Sequence, residues 1–128
     1  SLMPLQKLKQ LTRLSVEKTT ISSLESLRVL VHLTKLNVGA NPIFDISPLQ
    51  HLTELQELNL KKTLVFDLRP LENLVNLKKL NLSETPVLSL EPLHKLSLSH
   101  LDIRKTKQLS DRERFTFRMF QPLCEVTE

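Results

Sequence analysis

Glycine occurs once in the 128 residues, at Gly39. Phosphate-cradling loops of the G-x-G-x-x-G or G-x-x-x-x-G-K-[ST] kind cannot be written with one glycine, so nucleotide-binding folds built on them are excluded. Cysteine also occurs once, at Cys124, which excludes an internal disulfide framework and a cysteine zinc cage. Tryptophan and tyrosine are absent and there are five phenylalanines. No apolar run approaches the length of a membrane span, so membrane insertion is not expected. The four histidines, at 32, 51, 94 and 100, lie far apart. The net charge of +4 is only mildly basic and falls short of a nucleic-acid signature.

What the chain does have is leucine, in ranks. Leu5, Leu27, Leu49, Leu71 and Leu93 recur at a constant step of 22 residues. Parallel columns run Leu8, Leu30, Leu52, Leu74, Leu96; Leu11, Leu33, Leu55, Leu77; Leu14, Leu36, Leu58, Leu80; and Val16, Val38, Leu60, Leu82. The fifth copy drops one residue after Leu96, and the columns resume at Leu98, Leu101 and Ile103. Proline precedes the first leucine at Pro4, Pro48, Pro70 and Pro92, with Ser26 in the remaining slot. Self-similarity at this period marks a repeat architecture. The repeats divide as 4–25, 26–47, 48–69, 70–91 and 92–110, with 111–128 as a C-terminal cap and tail.

Each copy reads P-L-x-x-L-x-x-L-x-x-L-x-L-x-x-[NT]-x-I-x-x-L. Apolar residues at every third position in its front half suit a 3₁₀ or short helical turn. Proline costs nothing at the start of such a turn, because that N–H has no partner; Ser47 before Pro48 is placed to cap it. The alternation Leu58-x-Leu60 predicts a short strand with both leucines facing inward. Thr19, Asn41, Thr63, Thr85 and Thr106 then start the turn away from the strand, with side chains able to bond loop backbone. One unit alone buries little, and stacked units share a continuous core.

The segments LQELNLKKTLVFDLRPLENL and LTKLNVGANPIFDISPLQHL resemble leucine-rich repeats of the 22-residue class, which includes bacterial internalin-like repeats and regulatory subunits of type-one protein phosphatase. Asn-x-Ile-x-Asp-Ile-Ser-Pro-Leu at 41–49 is close to the internalin-type pattern, and threonine at four of the five turn positions resembles bacterial variants. The resemblance covers about five-sixths of the chain. It implies an α/β fold: a right-handed leucine-rich-repeat solenoid of five repeats, a parallel concave sheet, a convex side of 3₁₀ or short helical turns, and usually a protein ligand.

The ends depart from the repeat. Ser110-Asp111-Arg112-Glu113 reads as a capping box, opening a helix through about Phe120 that carries Phe115, Phe117, Met119 and Phe120. This helix is expected to cover the open end of the last repeat; the alternative use is a dimerisation or partner-docking surface. No matching cap precedes Leu5, so further chain upstream is expected.

For chemistry, no nucleophile–base pair stands out. His100 and Asp102 share one face of a strand and Ser99 is expected on the other, so no catalytic residue is assigned. The histidines occupy different columns and no carboxylate cluster joins them, so no metal site and no cofactor is expected. The solvent-facing strand positions hold eight basic and four acidic residues. A polar column of Ser15, Asn37, Asn59, Asn81 and Asp102 runs along the sheet. One reading is a polar, mildly basic groove for an acidic segment of a protein partner, with Arg13, Lys35, Lys61, Lys62, Lys79 and Arg104 as electrostatic contacts beside Asn37, Asn59, Asn81 and Asp102. The other is a solvated face that keeps a leucine-rich chain soluble. Aromatic anchors are missing from this face, so binding there would be weak and charge-led. Nucleic acid is disfavoured, because single-strand binders need stacking platforms.

A second column reads Ser22, Phe44, Phe66, Leu88, with Leu109 where the fifth repeat shifts. Stacked flush, Phe44, Phe66 and Leu88 are expected to pack on one another and complete the core; exposed, they would form an apolar docking strip. The absence of cysteine-rich caps, together with a glycosylation sequon at Asn81-Leu82-Ser83 inside the groove, points to the cytoplasm or a secreted bacterial effector. The expected function is a non-enzymatic protein–protein interaction module within a longer chain. The alternatives are a bacterial adhesin or injected effector domain docking a host protein through the apolar flank, and a structural spacer.

Overall fold

The computed structural model describes residues 1–128. Six three-residue strands form one parallel sheet in chain order: β1 (Arg13–Ser15), β2 (Lys35–Asn37), β3 (Glu57–Asn59), β4 (Lys79–Asn81), β5 (His100–Asp102) and β6 (Glu125–Thr127). Leu14, Leu36, Leu58, Leu80 and Leu101 lie opposite one another in register, ending on Val126. The opposite side carries single 3₁₀ turns at Met3–Lys7, Glu25–Leu27, Ser47–Leu49, Arg69–Leu71 and Glu91–Leu93. Four of these have proline in their first positions, where its fixed φ is already suited and its missing N–H costs nothing. The leucine-rich-repeat solenoid that the resemblance implies is the observed architecture.

Neighbouring rungs are tied where the chain enters each strand. The Thr12 carbonyl accepts from the N–H groups of Thr34 and Lys35, that of Thr34 from Gln56 and Glu57, that of Gln56 from Lys78 and Lys79, and that of Lys78 from Ser99 and His100. Register is thus fixed by backbone, while the leucines behind it supply the burial. In the inner rungs Leu27, Leu30, Leu33, Leu49, Leu52, Leu55, Leu71, Leu74 and Leu77 are all completely buried. At about 1.5–3 kcal/mol per buried aliphatic side chain, this core is the main source of stability.

The turn after each strand uses the predicted polar column. Thr19, Thr63, Thr85 and Thr106 each donate their hydroxyl to the carbonyl three residues earlier, at 2.6–2.7 Å. Asn41 does more. Its Nδ2 donates to the carbonyls of Val16, Val38 and Gly39, and its Oδ1 accepts from the Thr19 N–H at 2.9 Å, so it binds two rungs together. Lys18, Ala40, Lys62, Glu84 and Lys105 hold φ between 54° and 57° at the same place in each rung, and Thr20 at 60° adds a second left-handed residue to the first rung. That conformation costs a non-glycine residue about 1–2 kcal/mol. It is held in place in the first four because the N–H of Lys18, Ala40, Lys62 and Glu84 donates to the next rung.

The cap of the convex turn differs from expectation. Ser47 is the first residue of its turn, and its N–H donates to Asp45 Oδ1 at 2.9 Å. The same role falls to Ser23, Asp67 and Ser89 in their rungs. The acceptor must lie two residues before the N–H it binds, as in an Asx or Ser turn, and Ser47 is itself the residue whose N–H is bound. Asp45 is held below the usual carboxylate range by the Ser47 backbone and side chain, and Asp67 by Arg69.

The C-terminus builds a sixth rung that the repeat columns do not announce. Helix α1 (Asp111–Phe120) takes the place of a convex turn, and β6 pairs with β5. Phe117 alone among the helix aromatics is buried. Ser110 accepts from the Glu113 N–H as expected, but Glu113 Oε1 reaches the Leu90 N–H at 2.8 Å and so pins the helix to the stack. Gln121, buried, donates to the carbonyls of His94 and Leu96 and accepts from the Leu98 N–H. It substitutes for the backbone partners that a sixth leucine turn would have offered. At the other end Leu5, Leu11, Leu14 and Val16 are only partly buried and Leu8 is exposed.

Two expectations follow. Leu80→Ala should cost about 2–5 kcal/mol and Leu14→Ala about half of that or less, measured as the difference in urea midpoint and slope. The depressed folded-state pKa of Asp45 means its contribution is present above about pH 4 and is lost as pH falls through the lower folded value. The urea midpoint should therefore fall on acidification, and less steeply in Asp45→Asn, which keeps the turn's acceptor but has no charge to lose.

Candidate functional site

The strand residues that do not face the core line a shallow trough of about 490 Å³ along the concave sheet. Arg13, Lys35, Asn37, Glu57, Asn59, Lys79, Asn81, His100 and Asp102 border it. Lys61, Lys62 and Arg104 fall beyond this lining, two to three residues further along the chain, where the strand gives way to the turn. The structure thus brings seven of the ten concave-face candidates into the trough and leaves three at its rim.

The polar column is partly committed to the fold. Asn37, Asn59, Asn81 and Asp102 each accept, through Oδ1, from the N–H two residues on, at 2.9–3.1 Å. Short side chains with an acceptor oxygen are therefore required there to close the turn. The Nδ2 group of Asn37 donates to Glu17, whereas those of Asn59 and Asn81 find no acceptor in the chain. The sequon residue Asn81 is half-buried and also receives the Ser83 hydroxyl at 2.8 Å. Gly39 has a local reason: a Cβ there would lie 3.2 Å from both Asn37 Oδ1 and the Lys61 carbonyl.

Internal pairing thins the positive charge. Lys35 contacts Glu57 at 2.9 Å and Arg104 contacts Asp102 at 2.7 Å. The hydrogen bond from Lys35 holds the Glu57 carboxyl below its ordinary value. Partial burial pushes Asp102 up, but the Arg104 side chain and backbone outweigh it and leave the carboxyl depressed. Of the cations expected to make contacts here, Arg13, Lys61, Lys62 and Lys79 form no ion pair and remain free.

Ser99 and His100 correct an expectation. Ser99 precedes β5, so strand alternation does not govern it, and its Oγ lies 2.9 Å from His100 Nδ1, while Nε2 lies 3.1 Å from Glu125. The Ser99 hydroxyl also donates to the Lys78 carbonyl. The arrangement locks the last strands together.

Phe44, Phe66 and Leu88 are exposed rather than packed into the core. The preceding Ile43, Val65 and Val87 are fully buried, and the next residue necessarily turns outward. Leu109, the counterpart of Leu88 in the fifth repeat, does not continue the strip: its N–H turns back to the Thr106 carbonyl and its side chain is buried in the core. Phe66 and Leu88 join Phe120 around a second groove of about 780 Å³. Phe120 stacks on His94 at 4.3 Å between ring centres. Sequence reasoning missed this junction because nothing in the repeat pattern relates residue 120 to residues 66 and 88. No helix is long and apolar enough to cross a membrane.

No family model matches the chain, and no curated protein matches it. Solved structures do. An internalin, InlF, from Listeria monocytogenes superposes with a TM-score of 0.85 at 27% identity, over 95% of this chain and 36% of that one. Internalin C2 from the same organism gives 0.78 at 27% identity, over 100% of this chain and 54% of that one. A leucine-rich-repeat protein from Leptospira interrogans gives 0.88 at 23% identity, over 97% and 33%. The chain spans between a third and about half the length of these proteins. Repeat period, strand register and these likenesses agree: the chain is a leucine-rich-repeat protein with an internalin-like solenoid fold.

Proposed function

We propose that this chain is a non-catalytic protein-binding module that takes an acidic segment of its partner on the concave face. The carrying observation is an excess of donors without acceptors. The Nδ2 groups of Asn59 and Asn81, with Arg13 and Lys79, border the trough, and Lys61 and Lys62 stand at its rim; none of these groups has a carboxylate partner inside the molecule. Lys35, Glu57, Arg104 and Asp102 are already satisfied by one another and contribute shape more than attraction. With no aromatic on the face, recognition is led by charge, which favours fast, salt-sensitive association over tight binding.

A leucine-rich scaffold of this kind typically positions a partner and does no chemistry. The likeness to internalins and the exposed Phe44, Phe66 and Leu88 favour a second reading, an adhesin or effector domain that meets another protein on its flank. That surface is apolar and would select a different kind of contact from the basic trough.

The test uses a fluorescein-labelled oligoglutamate peptide as probe. Anisotropy should show saturable binding that weakens with added salt, and the triple variant Lys61→Glu, Lys62→Glu, Lys79→Glu should lose about tenfold or more in affinity with its melting temperature unchanged. Equal binding by the variant would refute the concave-face reading.

A further inference from the structure

Resting on the concave-face reading, we propose that Asn59 and Asn81 form a carboxylate clamp. Their free amide groups together take one side-chain carboxylate of the partner's acidic segment, with Lys79 and Lys61 supplying the charge. The fold fixes which way each amide is turned. Asn37, Asn59 and Asn81 each accept, through Oδ1, from the backbone N–H two residues on. An NH2 group cannot accept from an N–H, so Nδ2 is the end left free.

Asn37 shows what such a group binds. Its Nδ2 donates to the Glu17 carboxylate at 3.3 Å, across 20 residues of chain. Counting back the same 20 residues from Asn59 reaches Gly39, which has no side chain, and from Asn81 reaches Lys61, a cation. Neither can accept. The chain thus gives an internal carboxylate to the first of three like amides and withholds it from the other two. Asn59 and Asn81 are half-buried and border the trough, and neither Nδ2 is cut off from solvent.

The two lie opposite one another in register, about 4.8 Å apart. A carboxylate has two acceptor oxygens, each able to take one N–H at about 2.9 Å, so a single group can bridge both amides. The surrounding charges favour an anion. Lys79 stands two residues before Asn81 on the same face of its strand, and Lys61 two residues after Asn59; neither forms an ion pair. The acids nearby are already engaged: Glu57 by Lys35 at 2.9 Å, Asp102 by Arg104 at 2.7 Å, and Glu17 by Asn37. Glu84 is unpaired, but it sits at the rim, where the adjoining rungs carry Lys62 and Lys105 at the same place.

Anisotropy with the fluorescein-labelled oligoglutamate peptide is the test. Asn59→Asp keeps the oxygen that closes the turn, as Asp102 does in its own rung, and removes the donor. It should weaken binding by about tenfold or more, with the melting temperature unchanged. Ser15→Asp places the same charge in the same column two rungs away and keeps both amides; it should weaken binding by only about twofold. Glu17→Ala frees the Asn37 amide, which lies in register beside Asn59, and should tighten binding by about threefold or more. Glu84→Ala removes an equal charge without freeing an amide and should tighten it less. Amidating the peptide's carboxy terminus should leave the affinity unaltered, because a side chain supplies the carboxylate. Equal losses in the two aspartate variants, equal gains in the two alanine variants, or loss of binding on amidation would overturn the clamp. Affinity lost in the lysine triple variant but equal within these pairs would overturn the clamp alone and leave the concave-face reading intact.

Discussion

Everything in this molecule depends on one rung lying over the next in register. A single 22-residue unit has leucines on its inner side and little to bury them against. When the Thr12, Thr34, Gln56 and Lys78 carbonyls each hold two N–H groups of the following rung, the leucine columns come into contact along the whole stack. Contacts then run only between neighbours, and stability is close to a sum of rung and interface terms. Burial reflects this directly: it is complete in the middle, incomplete at Leu5, Leu11 and Leu14, and completed at the far end by α1, Gln121 and β6 in place of a leucine turn.

The same constraint determines which residues are free for function. Leucines that point inward leave their strand neighbours outward, two per rung and in line. Part of that line is spent on the fold itself: the Asn37, Asn59, Asn81 and Asp102 oxygens close the turns, and Lys35–Glu57 and Arg104–Asp102 neutralise each other. What remains is a donor-rich basic trough on one face and an apolar strip on the flank. Two surfaces of such different chemistry suit two different contacts, one led by charge and one by burial.

The repeat, the strand positions, the convex turns and the helix were legible because each is a periodic or short-range signal. The missed features are those in which one residue acts across the stack. Gln121 bonds backbone groups of the preceding rung, Glu113 leaves its own capping box for the Leu90 N–H, and Glu125–Thr127 pairs as a strand with only Val126 to announce it. Ser47 was two residues away from the true cap at Asp45, since the cap is defined by which N–H is orphaned. The outward turn of Phe44 and Phe66 was readable in principle: Ile43 and Val65 already fill the core, and adjacent residues of an extended segment point to opposite sides. On the concave face, sequence supplied the charges, but only geometry showed that Lys35 and Arg104 were already paired.

The most direct test of the stacked-rung account is native-state hydrogen exchange of the strand amides. The account predicts protection that is highest and similar across β2 to β4, declines towards β1, and follows rung order along the chain. Protection that was scattered without regard to rung order, or highest in β1, would contradict it.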